Sequence, residues 1–243
     1  MFYRYLRSRV ASFINPARTG NRSWRPQWLP TLLPLRSEDY HHSHIPIEKA
    51  ELFLSYNGGS TEMEVLNWLY STVLLLKPKV ILETGAADGL GTIALASACK
   101  ANGFGMVHSI ELDKPTCDLA IKRLHKAGLD KFATYHCTDS FSFIKSTELV
   151  FDFAFYDSLC EIRAAECEMC VRKEILKGLA VFHDTSPYRT ESLIEWPSPE
   201  LHNRYRQDLH RISEQYFGNR IFETQLSRGL TVLFPPVWPV IEK

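Results

Sequence analysis

The sequence predicts an α/β protein, a three-layer sandwich with helices on both faces of a mostly parallel sheet. Three observations carry this. Short apolar runs rich in β-branched and aromatic residues recur at 80–82, 106–110, 132–137, 151–156 and 179–182, with helical runs between them, the alternation that parallel strands and crossover helices require. Each run ends in a polar or acidic tip. The chain closes on two further runs, 220–226 and 230–234, separated by Ser227-Arg228-Gly229, which read as an antiparallel hairpin. The parallel strands and the hairpin together make a seven-stranded sheet.

The whole chain sets limits. Its 243 residues allow one large domain, or one domain with an extension. A hydrophobic content of 45% is that of a globular protein with a core. Lysine and arginine total 28, as do aspartate and glutamate, so the chain is not built to hold nucleic acid by neutralising phosphates. No apolar run approaches the ~20 residues of a membrane span. Six cysteines fall between Cys99 and Cys170 inside expected helices and strands. They read as reduced thiols in a reducing compartment, which favours a cytoplasmic location. Cys160, Cys167 and Cys170 share a helical face, so their C-x-x-C reads as packing and not as a redox or zinc motif.

Residues 1–56 form a basic, proline- and aromatic-rich extension ahead of a domain over 57–243. Arg4, Arg7, Arg9, Arg18, Arg22, Arg25 and Arg36 all precede the first acid, Glu38. Residues 1–14 fit a short basic amphipathic helix, and Pro16, Pro26, Pro30 and Pro34 break the stretch after it. No continuous apolar stretch comes after the first arginines, so a secretory leader is not expected. The favoured reading is an arm covering the domain edge; organelle targeting or peripheral membrane contact stays open. His41, His42 and His44 lack the spacing of a metal site and read as a surface loop.

The domain can be read in order. Asn57-Gly58-Gly59-Ser60 is a turn, and Thr61 with Glu64 reads as a capping box opening a helix to Leu76 that Pro78 stops. The run 80–82 is a buried strand with Glu83 at its carboxyl end. Gly85 and Gly89 then turn the backbone tightly, and Thr92 opens an apolar helix ending near Gly103. Gly85, Gly89 and Gly91 do not meet the G-x-G-x-x-G of a dinucleotide fold. The strand 106–110 ends at Glu111, whose two oxygens suit the paired hydroxyls of a ribose. Asp113 caps the helix 115–126, which Gly128 ends. Thr138-Asp139-Ser140 follows the third strand and Asp157 the fourth. A helix over 160–177 is ended by Gly178, and His183-Asp184-Thr185 follows the fifth strand. Residues 199–217 form a polar helix.

The pattern Glu83-x-Gly85-x-x-x-Gly89 resembles the first motif of class I S-adenosylmethionine-dependent methyltransferases, E/D-x-G-x-G-x-G, with Ala87 in place of the middle glycine. The segment 178–185, G-x-x-V-F-H-D-T, resembles the subgroup called methyltransferase family 24. The resemblance runs from about residue 57 to 185, and more loosely to the end. It implies a Rossmann-like sheet ending in an antiparallel hairpin strand and S-adenosylmethionine as cofactor. It also implies cofactor contacts at Glu83, Thr84, Gly85, Ala86, Gly89, Glu111, Leu112, Asp139, Ser140 and Asp157. In related metal-assisted enzymes the acids matching Asp157 and Asp184 hold Mg²⁺ or another divalent cation, and His183 could serve as the base. The catalytic candidates are therefore Asp157, His183 and Asp184. Catechol-type enzymes carry a lysine where this chain has Cys160, which argues against that chemistry. The expected activity is O-methylation of a hydroxyl on a small-molecule acceptor. A metal-dependent hydroxylase, or a non-catalytic binding protein, on the same scaffold is the alternative, and a homodimer stays open.

Overall fold

The computed structural model of the chain describes residues 41–42, 54–55, 61–187, 198–224 and 228–237. Two short strands, β1 (His41–His42) and β2 (Leu54–Ser55), pair antiparallel; residues 41–42 were expected in a loop. The domain then runs α1 (Met63–Leu76), β3 (Val80–Thr84), α2 (Leu90–Asn102), β4 (Met106–Glu111), α3 (Lys114–Lys126), β5 (Ala133–Cys137), α4 (Ser140–Ser146), β6 (Phe151–Tyr156), α5 (Cys160–Arg172), β7 (Leu176–His183), α6 (Pro199–Phe217), β8 (Ile221–Thr224) and β9 (Leu230–Leu233). The basic arm over 1–40, His44, the turn 57–60 and the loop 188–197 lie outside the described residues.

The seven-stranded sheet has the order β5-β4-β3-β6-β7-β9-β8. The first five strands in that order are parallel, and β9 is antiparallel to both β7 and β8, as the hairpin reading required. Strand order reverses between β3 and β6, which opens a crevice beyond their carboxyl ends. Register brings the tips level: Thr84 sits beside Ile110 and Tyr156, Ile110 beside His136, and Tyr156 beside Phe182. The residues that follow each strand therefore meet along one edge.

The sheet is sealed on both faces, so its central strands are apolar on both sides. One core joins Leu69, Val73, Leu95, Phe153 and Val181. The other joins Tyr156, Phe182, Cys167, Leu209 and Ile212. Helix α2 is buried from Leu90 through Cys99, which explains why its sequence is apolar all round. Among the described residues no helix is long and apolar enough to cross a membrane.

Three local expectations are corrected. Helix α1 starts at Met63 with Glu62 as its cap residue and no side-chain capping bond; the Thr61 hydroxyl donates instead to Asp157, 96 residues away. Helix α2 starts at Leu90 behind Gly89, ahead of the expected Thr92. Helix α5 stops at Arg172, the chain turns through Glu174 at φ 58°, and β7 begins at Leu176. Gly178 is thus a strand residue and not a helix stop. A Cβ there would lie 1.6 Å from the Asp152 carbonyl oxygen, at the irregularity where β6 and β7 change register, so only glycine lets the two strands close.

The reading of six free thiols is also corrected. Cys117 in the first turns of α3 is joined to Cys137, the last residue of β5, with Cα atoms 5.9 Å apart, a spacing that a disulfide spans. Cys99, Cys160, Cys167 and Cys170 are buried and outside any disulfide. The inference of a reducing compartment, which rested on all six, loses that support. The bridge closes a loop with a sequence separation of 20, for which chain entropy gives about 3 kcal/mol. Urea unfolding with and without a thiol reductant should differ by about that amount, and Cys117→Ser should reproduce the reduced curve.

Candidate functional site

Beyond the strand tips lies a cavity of about 870 Å³. Its walls are the turn after β3 (Gly85, Ala86, Ala87, Asp88), the segment from Glu111 to Pro115, the tip of β5 (Thr138, Asp139, Ser140) and the start of α5 with Asp157. Of the expected cofactor residues, Glu83, Gly85, Ala86, Glu111, Leu112, Asp139, Ser140 and Asp157 line it. Thr84 and Gly89 lie behind the wall: Thr84 is fully buried, and Gly89 caps α2.

The turn is shaped by close approach. Gly85 has φ +75°, and a Cβ there would lie 2.4 Å from the Asp157 carbonyl oxygen. Ala87, which stands where the resembled motif has glycine, keeps glycine's conformation at φ 44°, a strained state for a residue with a side chain. Its N–H donates to Glu111 at 2.8 Å, and the other Glu111 oxygen accepts from the Asp113 N–H at 2.9 Å. The carboxylate is thereby held at the rim with acceptor capacity left on both oxygens. Leu112 is 71% exposed and presents an apolar side chain at the rim.

Glu83 is buried beneath the turn and accepts hydrogen bonds from Thr92 at 2.5 Å and Ser109 at 2.6 Å. Burial pushes its carboxyl up to about 7 against the lowering effect of those two bonds. Gly91 is needed for it to fit, since a Cβ there would meet Glu83 Oε1 at 2.2 Å.

A residue not anticipated from the sequence lies behind the cavity wall and braces it. Glu166 of α5, fully buried, accepts from Thr84 at 2.8 Å, Ser140 at 2.5 Å and Ser158 at 2.8 Å. One carboxylate thus ties the tips of β3, β5 and β6 together. Burial raises its pKa, opposed by these bonds and by Arg163.

The remaining wall, with Asp157, Arg163, Asp184 and Arg228, belongs to a cluster of charges that continues behind it. His183 shares hydrogen bonds with Asp157 Oδ1 through Nδ1 at 3.0 Å and with Glu62 Oε2 through Nε2 at 2.6 Å. Arg163 Nη2 lies 3.0 Å from Asp157 Oδ1 and 3.2 Å from Asp184 Oδ2. Arg228 grips both oxygens of Asp184, at 2.6 and 3.1 Å, while its backbone N–H donates to Glu62 at 2.9 Å. Asp184 itself sits at φ 60°, where the Arg163 and Arg228 contacts hold it. The structure thus brings Asp157, His183 and Asp184 together, as expected. It also adds Thr61, Glu62, Arg163 and Arg228, none of which the sequence assigns to the site.

His183 is not on the cavity wall and is fully buried. Burial disfavours its charged form, but Asp157, Asp184 and Glu62 outweigh that and raise its pKa to about 9. The surrounding carboxylates favour its protonated form, which suits a group that orients Asp157 more than one that accepts a proton.

Residues 82–185 match a family profile described as a methyltransferase domain, the family 24 group. In that stretch the chain resembles a methyltransferase domain. Solved structures agree in fold. The Bacillus cereus O-methyltransferase bound to S-adenosylhomocysteine has TM-score 0.58 at 17% identity over 72% of this chain and 83% of that one. TomG from Streptomyces achromogenes, an O-methyltransferase of tomaymycin synthesis bound to S-adenosylmethionine, has TM-score 0.58 at 17% identity over 73% and 82%. The Podospora anserina methyltransferase PaMTH1, bound to S-adenosylhomocysteine, has TM-score 0.57 at 17% identity over 72% and 79%. No curated protein matches the sequence.

A divalent cation, which the methyltransferase resemblance brings with it, does not fit. Asp157, His183 and Asp184 present ligand atoms within 4.8 Å of one another, but the carboxylates are taken up by Arg163 and Arg228.

The raised His183 pKa has a sign. The stability it contributes is complete below pH about 6.5 and is lost as pH rises through about 9. Thermal unfolding should show wild-type stability falling by on the order of 3 kcal/mol across that window. His183→Gln should be less stable at pH about 6 and show a flatter slope.

Proposed function

We propose that this protein transfers the methyl group of S-adenosylmethionine to a hydroxyl oxygen of a small-molecule acceptor. The observation that carries this is the cavity at the reversal of strand order, where Gly85, Glu111, Leu112, Asp139 and Ser140 converge. The donor set suits an adenosine-bearing sulfonium. Glu111 accepts from the ribose hydroxyls with the lone pairs its backbone bonds leave. Leu112 gives an apolar surface to the adenine ring, and Asp139 and Ser140 meet its polar edge. Gly85 and Ala86 admit the methionine portion without a large side chain in the way. When bound, S-adenosylmethionine supplies an electrophilic methyl group on a positively charged sulfur. The relatives bound to S-adenosylmethionine or S-adenosylhomocysteine support the reading.

Asp157 then stands between the cofactor and acceptor parts of the cavity. Its Oδ2 takes the Thr61 hydroxyl at 2.8 Å and its Oδ1 faces His183 and Arg163, so the carboxylate cannot rotate away. It would receive the acceptor hydroxyl as a hydrogen-bond donor and take its proton as the methyl group passes from sulfur to that oxygen, with S-adenosylhomocysteine as the leaving group. His183 and Asp184 are positioning residues: His183 orients Asp157, and Asp184 anchors Arg163 and Arg228.

Titration calorimetry with S-adenosylhomocysteine should show binding to the wild-type chain, weakened about ten- to a hundredfold by Glu111→Ala through the lost ribose bonds. Absence of binding to both forms of the cofactor removes the proposal. Tritiated methyl transfer across a panel of hydroxylated metabolites then identifies the acceptor.

A further inference from the structure

The space between the Asp157 and Asp184 carboxylates is where a hard cation would sit in an acid-lined site, and it is filled by protein. Arg163 reaches it from α5 and is fixed on every side. Its Nε donates to the Ser158 carbonyl at 2.7 Å, its Nη1 to the His183 carbonyl at 2.6 Å, and its Nη2 bridges the two carboxylates. Tyr205 lies below the guanidinium, 5.8 Å from ring centroid to carbon, and its hydroxyl donates to the same His183 carbonyl at 2.9 Å.

The charges balance without a metal. Asp157 and Asp184 face Arg163 and Arg228, two carboxylates against two guanidinium groups that stay charged at any working pH. His183 and Glu62 form a further pair behind them. Arg163 is 3% exposed, Asp184 2% and Arg228 5%. A divalent ion added here would leave uncompensated positive charge away from water, which is strongly unfavourable.

We propose that Arg163 stands in the place of the divalent cation and is the fixed positive charge of the acceptor site. It rests on the methyl-transfer reading only for what that charge does. Arg163 lines the cavity beside Asp157. It holds the carboxylate that receives the acceptor proton, and its field favours the oxyanion character that develops on the acceptor. It is a positioning residue, and the site takes its acceptor without chelation.

The test is electron paramagnetic resonance of Mn²⁺ titrated into the full chain, with S-adenosylhomocysteine affinity measured by calorimetry on the same samples. For the wild type, the signal of free Mn²⁺ should persist up to about 1 mM. Wild-type binding below that, abolished by Asp184→Asn, overturns the proposal. Arg163→Met opens the position and should bind Mn²⁺ at least tenfold more tightly than wild type, whereas Arg163→Lys keeps the charge and should exclude it. A folded Arg163→Met that retains S-adenosylhomocysteine affinity and gains no Mn²⁺ affinity also overturns it. Should that variant not fold, the wild-type titration against Asp184→Asn decides alone. Loss of S-adenosylhomocysteine binding in the wild type would count against the methyl-transfer reading and leave the Mn²⁺ result intact.

Discussion

Charges from five parts of the chain meet beneath the tips of β6 and β7. Glu62 comes from the entry to α1, Asp157 from the end of β6, Arg163 from α5, His183 and Asp184 from the end of β7, and Arg228 from the turn before β9. Removing any one would leave a partner charged and buried, a loss of about 3–5 kcal/mol in comparable cases. The set therefore stands or falls together. That interdependence fixes how α1, α5 and the terminal hairpin approach the sheet, and so fixes the side of the cavity proposed for the acceptor. A buried ionic set is a weak source of net stability; its effect here is to admit one arrangement of those elements.

The two halves of the cavity are built by different means. The side proposed for the nucleoside is made largely by backbone, with a tight turn and a rim carboxylate held by N–H donors, over strand tips that Glu166 ties through their hydroxyl side chains. The opposite side, proposed for the acceptor, is set by side chains, chiefly the charges of Asp157, Arg163, Asp184 and Arg228. Backbone geometry of this kind follows from the strand–turn–helix pattern, and the charged wall does not.

Strand runs, the Gly-rich turn, the acids at strand tips and the terminal hairpin were all legible in the sequence, because each is a local pattern of period, turn chemistry or capping. The charge cluster was not. Thr61 and Glu62 carry the appearance of a helix cap, and their partners lie 96 and 121 residues away; nothing local marks such a pairing. Arg163 and Glu166 did leave a trace. They share the buried face of α5 with Cys160, Ala164, Cys167 and Cys170, and a charge on an apolar face must have a buried partner. The end of α5 was misplaced because Gly178 has the look of a helix stop, whereas its glycine answers a contact with Asp152 across the sheet. The disulfide was missed for a related reason: Cys117 and Cys137 meet only once β5 lies outside β4.

The same bridge gives the molecule one addressable thiol. Once reduced, Cys117 stays enclosed in the core and the four other cysteines remain sealed, but Cys137 lies at the surface next to Thr138 on the cavity wall. A fluorophore coupled there would sit beside the proposed adenine-binding edge, so ligand occupancy could be followed optically in the native sequence without introducing an attachment point.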